Sequence, residues 1–104
     1  MNQLIDISIV IPLLNEEESL PELFDWIKKV MSKNNFSFEV IFIDDGSTDG
    51  SLEVARGYDV RVISQLNKGL ASARNTGIMN ATGDYILSLD SDDVLEENII
   101  ERLT

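Results

Sequence analysis

The chain of 104 residues has the size of one domain, and its 43% hydrophobic and 26% charged residues are typical of a globular protein. Nineteen acidic residues against eight basic ones give a net charge of −11, which argues against nucleic acid or an anionic membrane as a partner. Cysteine and histidine are both absent, which excludes disulfide frameworks, histidine-based nucleophiles and the usual zinc sites. Any bound metal is therefore expected to be a hard cation held by oxygen.

The first residues, MNQLIDISIVIP, lack the basic segment and the small-residue cleavage site of a secretory signal. No apolar run approaches the roughly 20 residues that a membrane-spanning helix needs. These features predict one cytoplasmic domain over residues 1–104 that does not span a membrane.

Four apolar runs of strand length alternate with segments of helical period. The predicted strands are DISIVI (6–11), closed by Pro12, FEVIFI (38–43), VRVIS (60–64) and DYILSL (84–89). The helix after the first strand is predicted to begin with a capping box formed by Ser19 and Glu22. Its apolar face is predicted to consist of Leu20, Leu23, Phe24, Ile27, Val30 and Met31.

Two further helices follow the second and third strands. One is expected near residues 49–56 and ends at Gly57. The other is expected near residues 68–81, and its small residues predict close packing on the sheet. Its apolar stripe consists of Leu70, Ala73, Gly77, Ile78 and Ala81. A last amphipathic segment carries Leu95, Ile99, Ile100 and Leu103.

Near-continuous apolar strands that alternate with helices predict an α/β fold with a parallel sheet covered on both faces. We expect a Rossmann-like, three-layer α/β/α arrangement with strand order 3-2-1-4. In such sheets the binding crevice opens beyond the carboxyl ends of the strands, at the switch point in strand order. That point is predicted to lie between the first and fourth strands.

Acidic and amide residues follow several of these strands. Residues 87–94 read LSLDSDDV, so an apolar run ends in Asp90, Asp92 and Asp93. Asn15 and Glu16 follow the first strand, and the pair at 44–45 follows the second. Taken alone, an Asp after a strand is more readily explained as a helix cap or turn residue, which is our interpretation of Asp49 and Asp93. Solvated charges at helix ends are predicted for Glu17, Glu18, Glu96 and Glu97.

Several carboxylates at one sheet edge repel each other unless a cation or hydrogen-bond donors compensate. The joint placement of Asp44, Asp45, Asp90 and Asp92 therefore predicts a bound ligand. Asp90 and Asp92 are two residues apart, so in an extended segment their side chains would share a face and reach one ion or its ligand together.

The segments IPLLNEEESL, VIFIDDGSTDGS, NKGLASARNTGI and ATGDYILSLDSDD occur in this order over nearly the whole chain. An isolated DxD motif is a weak signal, but together these segments resemble the family 2 glycosyltransferases of the GT-A fold. That family uses nucleotide-diphosphate sugars as donors. The first two segments are similar to polyprenyl-phosphate sugar transferases, and SDD is closer to members that build polysaccharides and the cell envelope.

The resemblance implies roles for individual residues. The backbone at Pro12 and Leu13 and the side chain of Glu16 would border the nucleoside, and Asp45 would accept a hydrogen bond from the base. Arg74 would reach toward the base or the diphosphate.

Asp90 and Asp92 would form the DxD pair of the family. Asp92 would ligate Mn²⁺ or Mg²⁺, and Asp90 would contact the ribose or the metal through water. The donor implied is a UDP-sugar, with a GDP-sugar as a second possibility, and the acceptor group is a hydroxyl.

Full-length relatives continue beyond DxD into an acceptor-binding half that supplies the general base, whereas this sequence ends at Thr104. No general base is evident, so a donor-binding half without turnover is an alternative to an active glycosyltransferase. A receiver-like signalling domain is a more distant alternative, because PLLNEE does not supply the acid pair that such a domain has after its first strand. An uncovered fourth strand also predicts homodimers.

Overall fold

A computed structural model describes residues 5–89 of the chain, apart from the side chain of Asn34. Strands and helices alternate throughout this part. In chain order they are β1 (Ile7–Leu13), α1 (Leu20–Asn34), β2 (Phe38–Asp45), α2 (Ser51–Arg56), β3 (Arg61–Gln65), α3 (Leu70–Asn80) and β4 (Tyr85–Ser88). The predictions that concern Asp90, Asp92, Asp93 and residues 95–103 lie outside the described residues.

The four strands form one sheet in the order β3-β2-β1-β4, and each neighbouring pair is parallel. The pairing of β1 with β2 runs from Ile7 opposite Phe38 to Leu13 opposite Asp44. The predicted strand order and direction are therefore confirmed. The strand order reverses at β1, so the carboxyl ends of β1 and β4 flank the crevice that this topology creates.

The first strand continues through Pro12 to Leu13, although Pro12 was predicted to close it. Proline cannot donate to a ladder and is tolerated where no donor is needed. The carbonyl of Val10 accepts a hydrogen bond from Leu89 N, and alternate residues of a strand pair with the same neighbour. Pro12 therefore directs its nitrogen toward β4, beyond the register of Val10 with Ser88 that ends the β1–β4 pairing.

The sheet is covered on both faces, as predicted. On one face, Ile9, Ile11 and Phe42 pack in a cluster with the buried residues of α1 and with Ala55 of α2. On the other face, Val10, Ile41 and Ile43 pack with Ala73 of α3. The predicted apolar face of α1 is confirmed by the buried residues Leu20, Leu23, Ile27, Val30 and Met31, while Phe24 is half-buried and stacks on Tyr58.

Close packing of α3 on the sheet is confirmed at Gly77. A Cβ atom there would lie 2.3 Å from Val10 Cγ1 and 2.6 Å from Ile43 Cδ1. The predicted stripe was wrong at Leu70 and Ile78, which are 43% and 40% exposed. A helix that approaches the sheet this closely leaves room for small residues alone along its line of contact.

The start of α1 differs from the prediction. Ser19 is the N-cap of α1, but its side chain does not cap the helix. Its hydroxyl instead lies 2.7 Å from Glu16 Oε2, so the predicted capping box with Glu22 was wrong. The end of α2 at Gly57 is confirmed. No helix in the described part of the chain is long and apolar enough to cross a bilayer.

Candidate functional site

The loops after β1 and β2 meet at the carboxyl edge of the sheet, and Asn15 joins them. Its backbone is left-handed, with φ of 55°, a conformation that asparagine tolerates better than most residues. Its Oδ1 accepts hydrogen bonds from Thr48 N at 2.8 Å and Asp49 N at 3.3 Å. Its own N–H donates to Ser47 Oγ at 2.9 Å. Asn15 thus has a clear structural role beside any functional one.

A second set of hydrogen bonds ties the same two loops through α2. Glu16 N donates to the buried Ser51 Oγ at 2.7 Å, and Glu17 Oε1 accepts from Gly50 N at 2.6 Å. Asp49 accepts from Ser51 N, two residues further on, which confirms the predicted turn role of Asp49. Hydrogen bonding by Ser51 lowers the pKa of Asp49. Glu17 is exposed, as predicted for a solvated charge, and it also holds the loop after β2 through Gly50.

Asp45 is fully buried at the end of β2, and three donors surround its carboxylate. Oδ1 accepts from Gln65 Nε2 at 2.8 Å and from Lys68 N at 2.9 Å, and Oδ2 accepts from Gly69 N at 2.9 Å. Burial raises the pKa of Asp45, but these hydrogen bonds outweigh burial and lower it. Asp45 is therefore a charged hydrogen-bond acceptor.

The same bonds explain why α3 begins at Leu70 rather than near Lys68. The amides of Lys68 and Gly69 donate to Asp45, and Gly69 has a left-handed φ of 99°. These two residues form a turn around the carboxylate and do not start the helix.

Asp44 does not share a site with Asp45, because adjacent strand residues point to opposite faces. Asp44 is 2% exposed, and its Oδ2 accepts from Ser47 N at 3.3 Å. Its Oδ1 is buried without a hydrogen-bond partner among the described residues. The sequence interpretation grouped the two carboxylates, whereas the structure places Asp45 beside the β3–α3 turn and Asp44 beside the loop after β2.

Arg74 lies on α3 and is bound to the end of β4. Its Nε donates to Ser88 Oγ at 3.0 Å, and Ser88 is the last residue of β4. Asp90 follows Ser88 by two positions in the sequence. Pro12 and Leu13 are buried at the end of β1, in register with Ile43 and Asp44. The structure thus places Pro12, Leu13, Asp45 and Arg74 at the carboxyl ends of β1, β2 and β4.

An open depression of about 390 Å³ lies beside this edge. It is lined by Asn15, Glu16, Glu17, Glu18, Ser19 and Asp49. Of the predicted site residues within 5–89, Glu16 is the one that lines it. Four of the lining residues are acidic, so an anionic ligand there would need a compensating cation.

Within residues 5–89, no group of three or more acidic side chains is arranged to hold a metal. The predicted metal site therefore depends on Asp90 and Asp92, outside the described residues. Their carboxylate oxygens are the donor type that Mn²⁺ and Mg²⁺ take in proteins.

Gln65 and Thr76 were missed by the sequence interpretation. Gln65 donates to Asp45, and its Oε1 lies 2.8 Å from Thr76 Oγ1. Gln65 lies outside the segments that resemble the family, and Thr76 lies within NKGLASARNTGI without an assigned role. The link of Gln65 to Asp45 depends on the pairing of β2 with β3. This pairing places Gln65 opposite Asp45, which the alternating pattern of β3 alone does not indicate.

Comparison with known proteins gives consistent results. The family model described as Glycosyl transferase family 2 matches residues 8–104. Glycosyltransferase GlyG of Streptococcus pneumoniae is 44% identical over 103 residues, which cover 93% of this chain and 33% of GlyG. Cholesterol galactosyltransferase of Borreliella burgdorferi is 36% identical over 102 residues, which cover 93% of this chain and 28% of that protein.

Among solved structures, S. aureus TarS superposes with a TM-score of 0.77 and 27% identity, covering 94% of this chain and 31% of that one. A complex of TarS with UDP-GlcNAc gives a TM-score of 0.73 with 26% identity and covers 94% of this chain and 30% of that one. The chain thus spans about a third of the length of these relatives. By the family match and the GT-A-like sheet together, the chain belongs to glycosyl transferase family 2.

Proposed function

We propose that this chain is the donor-binding part of a glycosyltransferase that moves a sugar from a nucleotide diphosphate to an acceptor hydroxyl. The observation that carries the proposal is the buried, charged Asp45 at the carboxyl edge of a parallel sheet, on the strand that neighbours β1, where the strand order reverses. A UDP-sugar is the favoured donor, because TarS, which is 26% identical, binds UDP-GlcNAc. A GDP-sugar is the second candidate.

The nucleoside would lie against the ends of β1 and β2. Pro12 and Leu13 would border it through their backbone, Glu16 through its side chain, and Asp45 would accept a hydrogen bond from the base. These residues lie on consecutive parallel strands or directly after them, at the edge where such sheets bind ligands.

Arg74 would act on the diphosphate side. Its bond to Ser88 directs the guanidinium toward the end of β4, where the chain continues into the DxD segment. A guanidinium carries five N–H donors, so a hydrogen bond to Ser88 is compatible with a phosphate contact.

We also propose that Asp92 and Asp90 hold Mn²⁺ or Mg²⁺. A divalent cation bound there would neutralise the diphosphate as the bond between the sugar and the phosphate oxygen breaks. The need for it follows from charge, since the chain carries a net charge of −11 and the diphosphate is itself anionic. Asp93 is assigned to a turn or to a supporting hydrogen bond.

Binding without turnover is the alternative, because the chain covers 33% of GlyG and no general base is identified. The pieces missing from such a domain would be the acceptor site and the base. The receiver-like alternative has no support, because the family model that matches residues 8–104 is that of glycosyl transferase family 2. Synthesis of a polysaccharide or cell-envelope glycan in the cytoplasm remains the proposed setting.

Homodimers are proposed to form through β4. Within the described residues β4 pairs with β1 alone, and Tyr85 and Ile86 on it are 62% and 43% exposed. A strand edge with unpaired backbone groups and exposed apolar side chains favours association. Light scattering at high micromolar concentration tests this, and a strict monomer would contradict it.

Calorimetry of the 104-residue chain with UDP and with GDP tests the binding, in Mn²⁺ and in chelator. We expect metal-dependent binding, and we expect Asp92→Asn to weaken it by about tenfold or more, while Asp93→Asn changes it little. Metal-independent binding, or an Asp92→Asn variant that binds as the parent does, would contradict the proposed site. A separate assay of sugar transfer decides whether the 104-residue chain is active by itself.

A further inference from the structure

The carboxylate of Asp45 is held by a chain of side-chain hydrogen bonds that begins on α3. Thr76 Oγ1 lies 2.8 Å from Gln65 Oε1, and Gln65 Nε2 donates to Asp45 Oδ1 at 2.8 Å. We propose that Gln65 and Thr76 are positioning residues that make Asp45 select nucleobases with an N–H group opposite it. This role rests on the proposed binding of a nucleotide-diphosphate sugar.

Because Asp45 is ionised, its charge determines which group donates in the side-chain hydrogen bonds from Thr76 to Gln65 and from Gln65 to Asp45. An ionised carboxylate accepts and cannot donate, so the amide nitrogen of Gln65 must face it. The amide oxygen of Gln65 then faces Thr76, whose hydroxyl must donate to it, because two acceptors in contact repel. Thr76 Oγ1 also lies 3.0 Å from its helix carbonyl at Ser72. A hydroxyl has one proton, and the contact with Gln65 at 2.8 Å is the shorter of the two.

The two oxygens of Asp45 are unequally occupied. Oδ1 accepts from Gln65 and from Lys68 N, whereas Oδ2 accepts from Gly69 N alone among the described residues. Each carboxylate oxygen has two acceptor positions. Gln65 therefore fills Oδ1 and leaves the vacant acceptor position on Oδ2, next to Gly69.

The space beside Gly69 is open. Gly69 is exposed, and a Cβ atom built on it would meet no heavy atom within 4 Å. Asp45 itself has no exposed surface, so a ligand bonds to Oδ2 only when the residues that cover it move, and we assign the entry to the open Gly69 side. The turn at residues 68–69 then yields locally when the ligand binds.

This arrangement distinguishes uracil from cytosine. Uracil presents an N–H at ring position 3, which an acceptor can bind, whereas cytosine has a lone pair at the same position. With cytosine, a buried acceptor would face a second acceptor, and the cost of that unpaired contact corresponds to about tenfold or more in affinity. Without Gln65, Asp45 Oδ1 loses a donor, and without Thr76 the amide of Gln65 loses the hydrogen bond that holds its nitrogen toward Oδ1. In both cases the carboxyl group is freer to rotate. The distinction between the two bases then weakens.

The test is calorimetry of the 104-residue chain with UDP and with CDP in Mn²⁺, because the two ligands differ in the base alone. We expect the parent to bind UDP about tenfold more tightly. Thr76→Val keeps the shape of the side chain and removes the hydroxyl, and it should reduce the ratio to about threefold. Thr76→Ser restores the hydroxyl and should restore the ratio.

Thr82→Val is the matched control, since Thr82 Oγ1 donates to Glu39 Oε2 at 2.8 Å, at the opposite end of the sheet. It should lower the melting temperature and leave the ratio of UDP to CDP affinity unchanged. Gln65→Leu breaks the same chain from β3 and serves if Thr76→Val does not fold.

The outcomes separate this inference from the function on which it rests. A parent that binds neither diphosphate in Mn²⁺ would refute the proposed function, and the base selectivity with it. A parent that binds UDP and CDP equally would overturn the selectivity alone. The positioning role would also fall if both Thr76→Val and Gln65→Leu fold and keep the ratio of the parent, or if Thr82→Val changes it as much.

Discussion

The two edges of the sheet each hold a carboxylate in a network of donors, but the networks differ in their composition. At the amino edge, Glu39 accepts from Ser8 Oγ, from both the N–H and the hydroxyl of Thr82, and from Arg61. At the carboxyl edge, Asp45 accepts from the side chain of Gln65 and from two backbone amides of one turn. The first network joins neighbouring strands, and the second shapes a turn beside the crevice.

The amino-edge network fixes where β4 begins. Gly83 N donates to Ser8 Oγ at 2.8 Å, and Ser8 Oγ in turn donates to Glu39. Arg61 from β3 pairs with Glu39 at 3.0 Å. Every donor in this network comes from a strand or from the turn that precedes β4. We infer that the hydrogen-bonded carboxylate at the amino edge stabilises the fold, whereas for Asp45 at the carboxyl edge we propose a role in ligand binding.

Replacement of Glu39 or Asp45 by a neutral residue should give the largest difference between the two edges, in stability and in UDP binding. Glu39→Ala removes the acceptor of the hydrogen bonds from Ser8, Thr82 and Arg61 and should lower the free energy of unfolding by about 3 kcal/mol. Asp45→Asn should cost about 1 kcal/mol of stability but weaken UDP binding by about tenfold. Urea unfolding and calorimetry of the folded variants measure both quantities. The comparison fails if Glu39→Ala weakens UDP binding of the folded protein as much as Asp45→Asn does.

Two glycines allow a smaller comparison of the same edges. A Cβ atom at Gly83 would lie 2.7 Å from Ser8 N, a backbone atom, whereas a Cβ atom at Gly69 would meet nothing within 4 Å. Gly83→Ala should therefore lower the free energy of unfolding by about 2 kcal/mol through overpacking. Gly69→Ala should cost about 1 kcal/mol, because its φ of 99° strains a residue with a side chain. Equal losses, or a larger loss at Gly69, would contradict this assignment.

The contribution of the amino-edge network to stability should also be seen at acid pH, with a smaller effect than the substitutions above. Burial raises the pKa of Glu39, but hydrogen bonds from Ser8, Thr82 and Arg61 outweigh it and lower the pKa from 4.5 to about 2. A lowered folded-state pKa contributes stability above pH 4.5, and this stability is lost as the pH falls toward 2. Glu39→Gln should flatten the fall in melting temperature over this range. A variant whose melting temperature falls as steeply as that of the parent would show that Glu39 is not responsible.

The sequence predicted where the strands and helices lie because apolar periodicity is a local property. Their alternation then indicated the parallel sheet. The apolar face of α1 and the close approach at Gly77 follow from the same spacing. The separation of Asp44 from Asp45 was also accessible, since alternate residues of a strand face opposite sides. Grouping them gave too much weight to their adjacency in the chain.

Contacts between distant segments were not accessible in this way. Gln65 is 20 residues from Asp45, and Thr82 is 43 residues from Glu39. Ser19 is the N-cap of α1, as predicted, but its hydroxyl donates to the carboxylate of Glu16, and the predicted partner was Glu22. For Gln65 and Thr82 the tertiary fold determines the partner, whereas Ser19 has an acidic residue three positions away on either side and contacts Glu16.

The central claim is that the carboxyl edge of this sheet binds a nucleoside diphosphate and the amino edge does not. Amide chemical shifts of the ¹⁵N-labelled 104-residue chain, titrated with UDP and Mg²⁺, test it most directly. We expect the signals of Lys68 and Gly69 to move with UDP concentration, because their amides bond to Asp45, while the signals of Thr82 and Gly83 stay fixed. Shifts confined to Thr82 and Gly83, or no shift at Lys68 and Gly69 with millimolar UDP, would contradict the claim.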